Sequence, residues 1–332
     1  MKMNKPDTIS TIQEKLKSFP RLHNSLRPTP VHRLDCLSDE YGVNVYCKRD
    51  DLTGFGFGGN KTRKLDFLLA EARDIGCNTL IAIGANQSNF CRMAAAYGVA
   101  GGMDVHLVLG GKEPDNPTGN LRLDHLLGVT CHHVDSSDWN RWAEEAEKLE
   151  TQLTSQSQKV YRMPVGGSTP RGALGYVDAF AEILADQSRL GVEFDAIMHA
   201  SSSAGTQAGL VVGRAIADWR GSVIGISVAN QKAELEKDVL NLAQATAAEM
   251  DTHVDPASII VDDSYVGEGY AMRTPGCEEA VALFARRLGI FLDYVYTGKA
   301  AAGLIDTLRK GRFEKNANVL FIHTGGNIEL FE

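Results

Sequence analysis

Lys61 stands where a lysine gains little from solvation alone. It follows Gly58-Gly59-Asn60 and opens a run in which Leu65, Leu68, Leu69 and Ala72 recur at helical spacing. Asn60 is placed to cap that helix, which puts Lys61 in the first turn, at the positive end of the helix dipole. The same field, with any desolvation, lowers an ammonium pKa and frees the lone pair that an imine-forming lysine needs. Upstream, Gly54, Gly56, Gly58 and Gly59 let the backbone come close to a ligand. A basic Lys-x-Arg-Lys surface turn is the competing reading of this stretch.

Three further stretches carry groups suited to binding. Ala200 to Ala208 packs Ser201, Ser202, Ser203, Gly205 and Thr206 between a strand pattern and a helix pattern, an anion cup whose geometry and charge fit phosphate. No Gly-Lys-Ser/Thr ends it, so it is not a nucleoside-triphosphate loop. Gly84 to Asn89 also joins a strand to a helix, and its amides and hydroxyls suit a carboxylate; simple capping by Ser88 or Asn89 is the plainer account. Asp293-Tyr-Val-Tyr-Thr-Gly-Lys299 offers Tyr296 as an acid or base, although buried tyrosines more often pack. His323-Thr-Gly-Gly326 brings Thr324 to the end of the last strand, with His323 read as structural. Gly54-x-Gly56-x-x-Gly59 matches the dinucleotide fingerprint formally, but two phenylalanines in its variable positions would crowd a pyrophosphate.

The elements that must position these groups alternate. Strands are expected at 43–47, 79–83, 104–109, 130–134, 196–199, 222–228, 291–293 and 319–322. Helices are expected at 10–19, 88–100, 120–127, 139–153, 171–185, 209–219 and 232–250 and from 278 and 299. Such alternation means parallel sheets covered on both faces, with ligands beyond the carboxyl ends of the strands. The chain has 332 residues, 43% hydrophobic, enough for two domains. A net charge of -8 argues against a nucleic-acid partner. No apolar run spans a bilayer, and six scattered cysteines without a Cys-x-x-Cys pair fit a reduced, cytoplasmic protein with no metal.

Taken in order, Gly-Gly-Asn-Lys-Thr-Arg-Lys at 58–64, Gln-Ser-Asn at 87–89, Ser-Ala-Gly-Thr at 203–206 and Val-Tyr-Thr-Gly-Lys at 295–299 resemble one family. It is the fold-type II pyridoxal-phosphate enzymes, in the group of D-cysteine desulfhydrases and 1-aminocyclopropane-1-carboxylate deaminases. The resemblance runs from Lys48 to Gly326. It implies a two-domain α/β fold similar to the tryptophan synthase β chain, with parallel and mixed twisted sheets. Residues 1–63 plus 175–332 would form the larger cofactor domain and 64–174 the smaller inserted one, usually in a homodimer.

The resemblance also implies Lys61 as the Schiff-base lysine of pyridoxal 5'-phosphate, with Asn60 beside it. Lys64, Ser203, Ala204, Gly205 and Thr206 would hold the phosphate, and Asn89 would approach the ring hydroxyl. Gln87, Ser88 and Asn89 would meet the substrate carboxylate, Ser88 lying beside it or serving in proton transfer, and Tyr270 and Tyr296 would line the reacting face. The deaminases of the group carry a glutamate and a leucine where this chain has Thr297 and Thr324. Threonine hydroxyls meet a ring nitrogen without forcing its protonation, which favours β-elimination from a D-amino acid such as D-cysteine. Deamination of 1-aminocyclopropane-1-carboxylate, cysteate sulfo-lyase and D-serine dehydratase activities share the scaffold. A dinucleotide-dependent oxidoreductase is the alternative from a different class.

Overall fold

A computed structural model describes residues 5–332 and resolves the alternation into two sheets. The first half contains α1 (Lys5–Leu16), β1 (Val31–Arg33), α2 (Asp35–Tyr41), β2 (Asn44–Arg49), α3 (Asn60–Asp74), β3 (Thr79–Ala85), α4 (Asn89–Ala100), β4 (Asp104–Gly110), α5 (Gly119–Leu127), β5 (Thr130–Val134), α6 (Trp139–Ser155) and β6 (Val160–Met163). The second contains α7 (Pro170–Leu190), β7 (Ala196–Ser201), α8 (Gly205–Ile216), β8 (Ser222–Ser227), α9 (Lys232–Glu249), β9 (Ile260–Asp262), α10 (Pro275–Leu288), α11 (Thr297–Arg309) and β10 (Asn318–His323).

One sheet has the order β1-β2-β10-β7-β8-β9 and is parallel except where β1 meets β2. The other, β5-β4-β3-β6, is wholly parallel. All four of its strands lie within residues 64–174 and the six-stranded sheet lies outside them, while the boundaries at 63/64 and 174/175 fall inside α3 and α7. β7 is buried along its whole length and β3 over its first six residues, as continuous apolar strands covered on both faces must be.

Three local expectations are corrected. Residues 291–293 form no strand, because the Asp293 carboxylate takes the amides of Val295, Tyr296 and Thr297 and starts α11 instead. α8 begins at Gly205 rather than Gly209, so the serines lie just before the helix and Gly205 and Thr206 form its first turn. Asn60 is the first residue of α3 and not its cap; Gly59 holds that position.

Helices α3, α7 and α8 stack on one another. A methyl on Gly209 would fall 2.2 Å from the Ala173 carbonyl, and one on Gly213 would fall 2.4 Å from Phe180 Cβ. Only bare backbone lets α8 lie that close to α7. Below this stack sits a buried ion cluster. Arg63 donates to Asp50 from Nε (2.8 Å) and Nη2 (2.7 Å) and to Glu182 from Nη1 (2.9 Å). Tyr176 adds its hydroxyl to Asp50 at 2.6 Å, and Lys48 reaches Glu182 and Asp186, both at 2.7 Å. The cluster ties β2, α3 and α7 together.

Removing one partner of such a cluster strands a buried charge, so Asp50→Ala should cost about 3–5 kcal/mol in urea unfolding. Burial alone would raise Glu182, but Arg63 and Lys48 hold it down from 4.5 to about 2. A carboxylate depressed in the folded state contributes stability above its unfolded value, and loses it as pH falls through the folded one. Glu182→Gln should therefore lower stability at neutral pH and flatten its loss between pH 4.5 and about 2.

Candidate active site

The starts of three helices converge on one cavity between the carboxyl ends of the two sheets. α3 contributes Asn60 and Lys61, α4 contributes Asn89 and Phe90 behind Ser88, and α8 contributes Thr206 behind Ser201 to Ala204. Thr324, Gly325 and Gly326 after β10 line it too, with Tyr270, Tyr296, Trp139 and Trp142. Helix starts present free amides and positive dipole ends, so the cavity is built to receive an anion.

The lysines make this concrete. Lys61 lines the cavity, and burial lowers its ammonium to about 8. Lys64, one turn on and fully buried, is pushed well below its ordinary value by burial and then by Lys61. Its Nζ donates to the Gly166 carbonyl at 3.1 Å, and neither lysine has an ion-pair partner among the described residues. Two neighbouring ammonium groups, one half-buried and one fully buried, are costly without a carboxylate unless a ligand brings negative charge. A methyl on Gly205 would sit 2.6 Å from Lys64 Nζ and 3.0 Å from Ser168 Oγ, so the cup is open only because that residue is glycine. Ser168 donates to Ser203 at 2.9 Å, and Asn60 Nδ2 to Thr206 Oγ1 at 3.0 Å, which joins α3 to the cup. Ala204, the residue before α8, takes a left-handed φ of 65° that aims the cup's amides together.

On the opposite wall Ser88 caps α4, accepting from the Cys91 amide at 3.2 Å, which leaves its own proton to donate. Asn89 Oδ1 is occupied by Asn120 Nδ2 (3.1 Å) and Arg92 Nη1 (3.4 Å), so its amide nitrogen is the end left for a ligand. The hydroxyls of Tyr270 and Tyr296 are 2.5 Å apart. Burial raises both; the bond from Tyr296 offsets part of the rise at Tyr270, which reaches about 12, and adds to the rise at Tyr296. Both are protonated at neutral pH. Tyr270 is carried by a loop that Lys299 anchors, donating to the carbonyls of Val266 (2.7 Å), Gly269 (2.8 Å) and Val228 (3.3 Å).

Most of the residues singled out in the sequence meet here; four do not line the cavity, and one of them is Gly205, within the cup between Ala204 and Thr206. Thr297 is fully buried with its hydroxyl on Asp293, so the hydroxyl open to the cavity is that of Thr324. Gln87 turns away and holds Asn120 by its amide (2.8 Å), acting on Asn89 at one remove. Lys64 lies behind the cup wall. His323 has both nitrogens engaged, with the Phe291 carbonyl and the Gly325 amide. Sequence reasoning missed Trp139, Trp142, Gly166 and Ser168. Gly166-Gly167-Ser168 after β6 repeats the strand-glycine-serine-helix pattern of the other cups, a signal present in the chain; the tryptophans carried none.

Residues 22–325 match the family model described as pyridoxal-phosphate dependent enzyme. The chain is 40% identical over 329 residues to a D-cysteine desulfhydrase of Yersinia enterocolitica, covering 97% of this chain and 98% of that one. It superposes on the crystal structure of an ACC deaminase homologue with a TM-score of 0.91 at 37% identity, over 97% of this chain and 96% of the other. A threonine deaminase isoform of Solanum lycopersicum shares the fold alone, with a TM-score of 0.68 at 16% identity over 98% and 86% of the two chains.

The cup makes a prediction of its own. A Gly205→Ala methyl must displace Lys64 or Ser168, and should weaken binding of inorganic phosphate about tenfold in equilibrium dialysis.

Proposed function

We propose that this chain, which belongs to the pyridoxal-phosphate dependent enzyme family, is a lyase that eliminates sulfide from a D-amino acid, D-cysteine foremost. The cavity fits the cofactor: a half-buried and a fully buried lysine lack an anion, and an amide-rich cup adjoins them. Lys61 would hold its aldehyde, Lys64 with Ser203, Ala204, Gly205 and Thr206 its phosphate, and Asn60, Asn89 and Thr324 its ring. When bound, the cofactor supplies an electron sink that acidifies the substrate Cα.

The chain's own groups do the rest. The amides and side chains of Ser88 and Asn89 bind the substrate carboxylate at the positive end of α4. Lys61 Nζ, with its affinity for protons reduced by burial, takes the Cα proton. Tyr270, its hydroxyl backed by Tyr296, gives a proton to the departing sulfur. Phe90, Trp139 and Trp142 wall the cavity and limit water. D-cysteine and water leave as pyruvate, ammonia and hydrogen sulfide. The observation that carries this reading is that no lining residue is acidic. Thr297 stands where the deaminases carry a glutamate and its hydroxyl is spent on Asp293, so the cavity lacks the carboxylate and suits β-elimination, and likeness over nearly the whole length to a D-cysteine desulfhydrase supports the substrate.

Division into 1–63 plus 175–332 and 64–174, a cytoplasmic site and a homodimer belong to the same reading; among the described residues no helix is long and apolar enough to cross a membrane. Purified protein should release sulfide and pyruvate from D-cysteine, and Lys61→Ala should lower that rate by roughly 10²–10⁴-fold or more while its melting temperature is retained. Release of 2-oxobutanoate from 1-aminocyclopropane-1-carboxylate, with none of the former products, would reverse the assignment.

A further inference from the structure

Away from the cavity, Glu113 in the β4–α5 loop, His125 on α5 and His133 on β5 bring one ligand atom each to within 4.8 Å of one another. Glu113 and His125 are exposed, and His133 is half-buried. Side chains alternate along β5: His132 turns to one face, where its Nε2 meets His106 Nδ1 at 3.0 Å, so His133 turns to the face that α5 covers.

His133 is held in one tautomer. Asn86 Nδ2 donates to the Lys112 carbonyl at 2.7 Å, which leaves Asn86 Oδ1 as the atom 3.1 Å from His133 Nδ1. A carbonyl oxygen only accepts, so Nδ1 carries the proton and Nε2 carries the lone pair. That Nε2 is sealed from solvent and has no hydrogen-bond partner. A metal-bound imidazole is prepared in this way, with its outer nitrogen donating to a fixed oxygen and its inner one free to ligate. The cost of a buried, unpartnered acceptor is removed when a cation fills the gap.

We infer that Glu113, His125 and His133 form a binding site for one zinc-class divalent ion, with a fourth position left to water. Two imidazoles and one carboxylate are a zinc donor set, and they are a poor one for magnesium, which prefers oxygen throughout. Ligands from a loop, a helix and an edge strand would be clamped together at the outer side of the smaller sheet. The ion would meet the substrate wall only through Asn86, next to Gln87 in the chain. No spacing motif announces the site, since its ligands come from three separate elements.

The test is a zinc titration of the holoenzyme against a competing chromophoric chelator, with wild type, Glu113→Gln, His125→Ala, His133→Ala, Asn86→Leu and Cys131→Ser. The expected result is one ion per chain, with affinity reduced at least about tenfold in each ligand variant and about tenfold in Asn86→Leu. Cys131→Ser should bind as wild type, and magnesium should not compete. Zinc should raise the melting temperature of wild type and not of His125→Ala/His133→Ala. Equal binding by that double variant, loss of binding in Cys131→Ser, or competition by magnesium would overturn the site.

Discussion

Helix α3 carries three cations in four residues, Lys61, Arg63 and Lys64, and the fold treats them in two ways. At 100° per residue, Lys61 and Lys64 share a face and Arg63 points away from it. Arg63 is met by Asp50 and Glu182 and has every advantage of a paired buried charge. Its neighbours are met by carbonyls, amides and each other. One turn of helix therefore contains both the anchor that fixes its position and a pair of cations that an anionic ligand would satisfy.

The rest of the architecture keeps that pair in place. The anchor holds α3 to β2 and α7, and bare glycine backbone holds α7 to α8. The serine cup at the head of α8 is thus fixed relative to the lysines without being bonded to them by charge. The far wall is held differently, through amides: Gln87 to Asn120, Asn120 to Asn89. Neutral contacts there keep the cavity from acquiring a carboxylate that would satisfy the lysines internally. A third device positions the tyrosines, since Lys299 acts as a tethered cation gathering three loop carbonyls.

Much of this was legible in the chain. The lysine helix, the serine cup and the Gln-Ser-Asn turn are local patterns, and alternation of strand and helix is periodic. What escaped has a physical reason in each case. Residues 291–293 have strand composition, but a single buried Asp293 offers their neighbours' amides a better partner than a sheet would. Thr297 sits in the right motif, yet its hydroxyl is captured by the same Asp293. Trp139 and Trp142 head a charged helix and carry no local sign of a site; their place on the cavity depends on how two sheets face each other, which no local pattern encodes.

The chain is acidic overall, with a net charge of -8, yet its cavity walls hold a lysine and no acid. A surface of that sign repels small anions at long range, but screening confines the effect to roughly 10 Å at ordinary salt. Inside the cavity the local field decides, and desolvation magnifies it. An occupant with a dianionic group therefore gains most by going deep, against the cup and Lys64, and an amino acid with a single carboxylate gains enough at the α4 wall. The two anionic ends are sorted by the charge facing them, so the carbon between them is brought to Lys61 without any residue having to recognise it.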